Sequence, residues 1–198
     1  MRRLTVLLAL VWACTPPPDG TSDPWSSPTT TSDPWTTEPP AVITELDPLV
    51  DLPVIADACR DPLLVVVDEG IDGDTLWVDP IEVGPSETVR LIGFDSPEVG
   101  WEDEPSECWA DEAQSYTRMA LQGQVVWLTF DRECEDSYDR TLAYVHTSEG
   151  DDGVFNVAAV RDGIGSVMII EPNDGFRDEL QVAEQAARQD GAGMWACQ

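Results

Sequence analysis

The chain contains no lysine. Its ten basic residues are all arginine and face 39 aspartates and glutamates, for a formal net charge of −29 over 198 residues. Proteins that hold nucleic acid across a broad basic face do so by neutralising phosphates with lysine and arginine, so that mode of binding is excluded. Histidine is scarce as well: His146 is the only one. With no Cys-x-x-Cys pair either, a structural zinc site is disfavoured. The apolar run Leu4–Ala13 is too short to cross a bilayer as a helix. What the chain does have is 42% hydrophobic residues, enough for a core and too many for wholly disordered protein. An aspartate-rich surface without lysine fits a high-salt setting, where screening weakens self-repulsion.

Residues 1–13 read as a secretory signal, a short positive start followed by an apolar stretch. Val11-Trp12-Ala13-Cys14 is similar to a bacterial lipobox, which makes Cys14 a candidate for lipidation. An ordinary signal peptide with an incidental cysteine is the alternative. Residues 14–57 shift to proline, threonine, serine and aspartate. They repeat Thr21-Ser22-Asp23-Pro24-Trp25 as Thr31-Ser32-Asp33-Pro34-Trp35. Such composition predicts an extended, disordered linker. The expectation is an exported protein of the bacterial cell envelope, touching the membrane only through a lipidated N-terminus, or a secreted one.

Residues 58–198 read as one globular domain. Strands are predicted at Leu63–Val67, Thr75–Val78, Thr88–Phe94, Gln124–Phe130 and Thr141–His146, with a further extended run at Ser166–Ile170. Trp109, Ala113, Tyr116 and Ala120 recur at helical spacing within Glu107–Leu121. A short helix is expected from Val154 to about Asp162. A last one starts near Asp174, with Phe176, Leu180, Ala183 and Ala187 inward and Gly191 as its stop. Short strands with helices inserted late predict an α+β fold on a small Greek-key β-barrel of the OB type. Cys59, Cys108, Cys134 and Cys197 predict two disulfides, with three connectivities open. Cys59–Cys197 with Cys108–Cys134 is the expected pairing, because the first would staple the domain ends.

Three segments carry the candidate chemistry: Ile71-Asp72-Gly73-Asp74-Thr75-Leu76-Trp77-Val78, Arg90-Leu91-Ile92-Gly93-Phe94-Asp95-Ser96-Pro97-Glu98, and Asp136-Ser137-Tyr138-Asp139-Arg140-Thr141-Leu142-Ala143-Tyr144-Val145. They place carboxylates at strand ends with arginines near them. Carboxylate and carbonyl oxygens suit a hard divalent cation such as Ca²⁺. Arginine gives planar, multi-donor recognition of phosphate. A further carboxylate can position or deprotonate water. Together these parts suit phosphodiester hydrolysis. Taken one at a time, each has a plainer reading: Asp-Gly is common turn chemistry, and arginines in an acidic protein find surface partners.

In order and combination, the D-G-D-T turn, the R-L-x-G-x-D-x-P-E stretch, the Y-x-R-x-L-A-Y stretch and the closing helix followed by tryptophan resemble the staphylococcal nuclease-like (thermonuclease) family, over roughly Leu63 to Trp195. The resemblance implies a five-stranded OB barrel with three helices and one Ca²⁺ beside a phosphate. It implies Asp74 and Asp95 as carboxylate ligands, the backbone carbonyl of Ser96 as a third ligand, and Glu98 as holder, and in some accounts general base, of the attacking water. Arg90 and Arg140 would clasp the phosphate, and Tyr138 would sit near the nucleotide. Ser96 stands where the family often has threonine.

The chain departs from the family around the substrate. Asp139 replaces the glycine of Y-G-R, and Met168-Ile169-Ile170-Glu171-Pro172 lacks the tyrosines and lysine of well-studied members. A basic loop becomes Gly100-Trp101-Glu102-Asp103-Glu104-Pro105-Ser106-Glu107. There Trp101 is a candidate for stacking on a base, or else a packing anchor. The leading expectation is a monomeric, Ca²⁺-dependent nuclease acting on single-stranded or unstacked DNA or RNA. The alternative is a non-catalytic binding module on the same fold, which the acidic surface favours.

Overall fold

Five strands close into a barrel in the computed structural model, which describes residues 52–53, 55–100, 105–147 and 153–197. They are β1 (Leu63–Gly70), β2 (Thr75–Pro80), β3 (Glu87–Leu91), β5 (Val125–Thr129) and β6 (Thr141–His146), in the order β1-β2-β3-β6-β5. Every neighbouring pair is antiparallel except β3 and β6, which run parallel with Arg90 opposite Leu142. Strand alternation sends Val65, Val67, Leu76, Val78, Leu128 and Val145 fully out of solvent. Burying each such side chain contributes about 1.5–3 kcal/mol. Helices α1 (Ala110–Leu121), α2 (Phe155–Arg161) and α3 (Arg177–Asp190) complete the fold, and a 3₁₀ turn, Gly193–Cys197, follows α3. The barrel and three helices are those the sequence predicts. The signal sequence, most of the linker, Cys14 and Trp101 lie outside the described residues. Leu52 is buried and Ile55 packs on the core, so packing reaches upstream of Ala58.

The expected strand Thr88–Phe94 is two strands. β3 ends at Leu91, and β4 (Gly93–Asp95) leaves the barrel to pair with β7 (Ser166–Met168), Asp95 opposite Ser166. Gly93 makes the break: its φ is 95°, and a Cβ there would lie 2.3 Å from Leu180 Cδ1. The buried Asn156 amide donates to the Ile92 carbonyl at 2.9 Å and so satisfies the backbone at the turn-out. Asp95 is thereby presented at the barrel's edge instead of along its wall.

Two further expectations are corrected. The buried face of α1 is Ala110, Ala113, Thr117 and Leu121, while Ala120 is exposed and Trp109 caps the helix in the left-handed region at φ 76°. Thr117 is buried because its hydroxyl donates to the Gly73 carbonyl at 2.8 Å, a polar contact that apolar periodicity does not register. The disulfide pairing differs too. Cys59 bonds Cys134, with Cα atoms 5.8 Å apart, not Cys197. The segment entering the barrel runs along the loop after β5, where the Cys59 N–H donates to the Asp131 carbonyl at 2.7 Å. Cys108 is disulfide-bonded as well, and its partner is therefore not Cys134. The C-terminal helix follows expectation: Leu180, Ala183 and Ala187 are buried, and Gly191 ends it at φ 62°.

Candidate active site

A bulge in β1 between Val67 and Glu69 leads the chain into the acidic turn before β2. In that turn the Ile71 N–H donates to the Thr75 carbonyl, and Asp72 Oδ1 accepts the Asp74 N–H at 2.9 Å. Thr75 pairs with Arg90 across β2 and β3, which puts Asp74 beside the arginine. Arg90 Nη1 lies 3.1 Å from Asp74 Oδ2. Gly73 permits the close approach of the next element, since a Cβ there would lie 2.6 Å from Ser96 Cβ. The Ser96 N–H then reaches Asp74 Oδ2 at 2.8 Å.

Arg90 is almost fully buried at 8% exposure. Its Nη1 donates to the carbonyls of Leu91 and Phe94, each at 2.9 Å, and its Nη2 donates to Asp95 Oδ1 at 2.7 Å. A guanidinium fixed on so many acceptors is held in one orientation. Asp95 itself is half exposed. Arg140 comes from the neighbouring strand, just before β6, two residues from the Leu142 that faces Arg90. Asp136 accepts its backbone N–H at 3.0 Å and its Nε at 2.7 Å, and the guanidinium lies 5.5 Å from the Tyr138 ring centroid. Asp139 is in the left-handed region at φ 59°. That conformation is why glycine suits the position.

Arg90, Asp95, Glu98 and Arg140 line one cavity of about 400 Å³. Asp74 and Ser96 are buried and do not line it; Asp74 bonds both Arg90 and the Ser96 N–H, and Arg90 bonds Asp95. Tyr138 is 77% exposed beside Arg140. Glu98 sits where the following loop closes: its N–H donates to Glu107 Oε2 and its carbonyl accepts the Glu107 N–H. Burial raises the Glu98 carboxyl above its ordinary range, with the charges of Asp72 and Asp95 adding to the effect and Arg90 opposing it. Burial also lifts Asp74, to about 7, against the pull of Arg90 and with a further push from Asp72.

Burial, with the charge of neighbouring carboxylates, raises Asp74 and Glu98, and a bound cation would relieve that cost. Asp72, Asp74, Asp95 and Glu98 supply oxygen only, the donor chemistry of Ca²⁺ rather than of zinc. Among the described residues no three Asp, Glu, His or Cys side chains form a ready metal cluster. A cation held here would draw most of its ligands from carbonyl and water oxygens, as hard divalent ions can.

Sequence reasoning did not single out Asp136, Glu133, Glu135 or Asn173. The glutamates and Asn173 line the cavity, with Met168 and Ile170. Asn173 brackets Glu133, accepting its N–H at 2.8 Å and donating to its carbonyl at 2.9 Å. For Asp136 a signal was present: an aspartate four residues before an arginine, opening a turn, is Asx-turn chemistry.

Residues 88–197 match the family model described as staphylococcal nuclease homologue. The chain is 37% identical over 125 residues to a thermonuclease of Staphylococcus intermedius, covering 63% of this chain and 71% of that protein. It is 31% identical over 126 residues to the thermonuclease of Staphylococcus hyicus, covering 64% and 72%. It is 30% identical over 137 residues to endonuclease YncB of Bacillus subtilis, covering 67% and 61%. With the barrel, the two arginines and the acidic turn in place, the chain belongs to the staphylococcal nuclease homologue family.

Proposed function

We propose that this chain is a nuclease that hydrolyses phosphodiester bonds of single-stranded or unstacked DNA or RNA with Ca²⁺, exported and held at the cell envelope by a lipid on Cys14. The observation that carries the catalytic reading is the convergence of Arg90 and Arg140 with Asp95 and Glu98 on one cavity. The names of the thermonuclease and endonuclease relatives support it. A phosphate entering the cavity meets a buried, oriented guanidinium from β3 and a half-buried one from the start of the neighbouring strand. These arginines neutralise the phosphate and stabilise the charge that grows on its oxygens in the transition state. Glu98, with its affinity for a proton raised, orients a water at the cavity rim and accepts its proton. Asp74, Asp95 and the Ser96 carbonyl would hold the cation, which supplies Lewis-acid stabilisation of the phosphate when bound. Tyr138 flanks the nucleotide beside Arg140.

The test is digestion of single-stranded DNA and RNA by the purified chain, with Ca²⁺ or excess chelator, across a salt series. Ca²⁺-dependent cleavage supports the reading. Binding without cleavage at every salt concentration would instead establish a non-catalytic module. The envelope location is checked by mass: a diacylated N-terminal cysteine on chain recovered from membranes supports the anchor, and an unmodified soluble product removes it.

A further inference from the structure

Arg140 belongs to a hairpin whose inner arm pairs with β3 and β5, whose outer arm is bonded to the segment entering the domain, and whose inner arm that segment reaches again through Glu87 of β3. Its inner arm is β6. Its outer arm, Cys134 to Asp136, pairs back on it: Leu142 N–H donates to the Cys134 carbonyl at 2.8 Å, Glu135 bridges Thr141, and Asp136 N–H donates to the Arg140 carbonyl at 3.0 Å. The bonds from the Asp136 carboxylate to Tyr138 and Arg140 lie wholly inside the turn. They orient the guanidinium relative to the turn and do nothing to place the turn relative to Arg90.

Residues 59 and 60 help to do that. Cys59 is bonded covalently to Cys134 on the outer arm, and its N–H is anchored on the Asp131 carbonyl. Arg60 lies 5.1 Å from the centroid of the Phe130 ring. It forks onto Glu87 with Nη1 at 3.0 Å and Nη2 at 3.1 Å. Glu87 Oε2 in turn accepts the Thr141 hydroxyl at 2.7 Å, one residue from Arg140 on the inner arm. The Arg60 bond is the main reason the Glu87 carboxyl is held below its ordinary range, so the link is charge-assisted. Asn173 grips Glu133, the residue before Cys134, with two further hydrogen bonds.

Resting on the reading of Arg140 as a phosphate ligand, we propose that Cys59 and Arg60 are positioning residues for Arg140: the segment entering the domain sets the hairpin that aims the guanidinium into the cavity. Reduction of the Cys59–Cys134 disulfide by a dithiol, which is itself oxidised to a disulfide while two protein thiols form, uncouples the outer arm. A misplacement of about 1 Å in a catalytic group costs up to about a hundredfold in rate, so the brace matters to turnover beyond its effect on stability.

The experiment uses the full chain. Turnover and KM on single-stranded DNA are measured well below the melting temperature for wild type, for Cys59→Ser combined with Cys134→Ser, and for Arg60→Ala. Each is made with Arg140 intact and with Arg140→Ala. The serine pair leaves the Cys108 disulfide untouched, and Arg60→Ala tests the second link if the serine variant folds poorly. With Arg140 present, kcat is expected to fall roughly ten- to a hundredfold with a smaller change in KM. With Arg140 absent, the same changes are expected to stay within about twofold, because interacting sites are non-additive. An equal loss in both backgrounds, or none in either, overturns the proposal. The Arg140 Nε–H resonance gives a readout independent of activity: it should shift or broaden in both variants, and an unchanged signal overturns the proposal. If even the wild type cleaves nothing, the nuclease reading falls, and the resonance alone decides whether the hairpin is positioned from residues 59 and 60.

Discussion

Asp136 holds Arg140 at both ends, its Oδ1 accepting the backbone N–H at 3.0 Å and its Oδ2 accepting Nε at 2.7 Å. The same Oδ1 accepts the Tyr138 N–H at 2.9 Å. Burial pushes this carboxyl up, but the N–H groups of Arg140 and Tyr138 and the Arg140 side chain outweigh it and leave it below its ordinary range. Asp136→Ala should therefore lower kcat/KM by roughly ten- to a hundredfold, the worth of a charge-assisted hydrogen bond of about 1.5–3 kcal/mol. Asp136→Asn, which keeps an acceptor for the backbone, should lose less. Alanine at Arg90 or Arg140 should cost about 10² to 10³, and lysine should rescue poorly because it lacks the fork. Wild-type rates in either alanine variant, with matched circular dichroism, would make that arginine a structural ion-pair partner only.

Removal of Ca²⁺ should abolish cleavage and lower the melting temperature. Asp72, Asp74, Asp95 and Glu98 repel one another and any incoming phosphate, and a divalent ion reverses the sign of that field. Binding to the folded state alone raises stability by mass action, about 2.7 kcal/mol at a hundredfold excess over Kd. Mg²⁺ should do less in both assays, because it demands near-octahedral geometry. A melting curve and a cleavage rate that ignore excess chelator would remove the cation from this site.

Asp139→Gly should stabilise the chain by up to about 1 kcal/mol, since the left-handed backbone at φ 59° strains any residue with a Cβ. It also deletes a negative charge next to Arg140, so low-salt kcat/KM should rise. Chemical denaturation and a salt-resolved rate series check the two effects separately. A destabilised variant would show that the Asp139 side chain compensates for its backbone.

The barrel was legible because its strands alternate apolar and polar positions and end in Gly, Pro and Asp turns. The last helix was legible because Leu180, Ala183 and Ala187 keep strict period and Gly191 stops them. What the sequence concealed is tertiary. Thr117 is buried by a bond to a carbonyl far away in the chain, so its helix face was read one residue out. The break at Gly93 depends on Leu180 from α3 and Asn156 from α2, and neither is visible locally. Cysteine spacing has no information on which thiols meet; Cys59 finds Cys134 because the entering segment follows the loop after β5. In the site, Asp74, Asp95, Arg90 and Arg140 were legible as types in order. The braces on Arg140 were not, since Glu87 and Arg60 look like any surface charges in so acidic a chain.

Acid should unfold the domain through His146. The ring is fully buried, its Nε2 shares a hydrogen bond with the Thr129 hydroxyl at 2.7 Å, and its Nδ1 has no partner. Burial lowers its pKa to about 4. The unfolded state takes up this proton near pH 6.5 and the folded state only near 4, so stability is lost as pH falls between those values. The full loss is about 3 kcal/mol at 1.36 kcal/mol per unit. Replacement by glutamine should flatten the dependence of stability on pH across that window. An unchanged slope in His146→Gln would assign the acid limb to carboxylates.

The salt response should run opposite to that of a basic nuclease. An ordinary nucleic-acid binder weakens with salt because it releases condensed counterions, with a slope near −0.9 per phosphate neutralised on duplex DNA. Here Arg90 and Arg140 contribute that term over only a phosphate or two. Against it stands the repulsion between a chain of net charge −29 and a polyanion. That repulsion is long-ranged, and it is screened first, as the Debye length shrinks from about 8 Å at physiological salt to about 3 Å at 1 M. At saturating Ca²⁺, kcat/KM should therefore rise from low salt to several tenths molar before it levels or falls. Neutralising Glu102, Asp103 and Glu104 to Gln, Asn and Gln should raise low-salt activity and flatten the climb, because these residues stand where the family has a basic loop. A monotonic fall from the lowest salt upward would mean that the attraction of two arginines and a cation at the cavity outweighs the whole acidic surface even without screening.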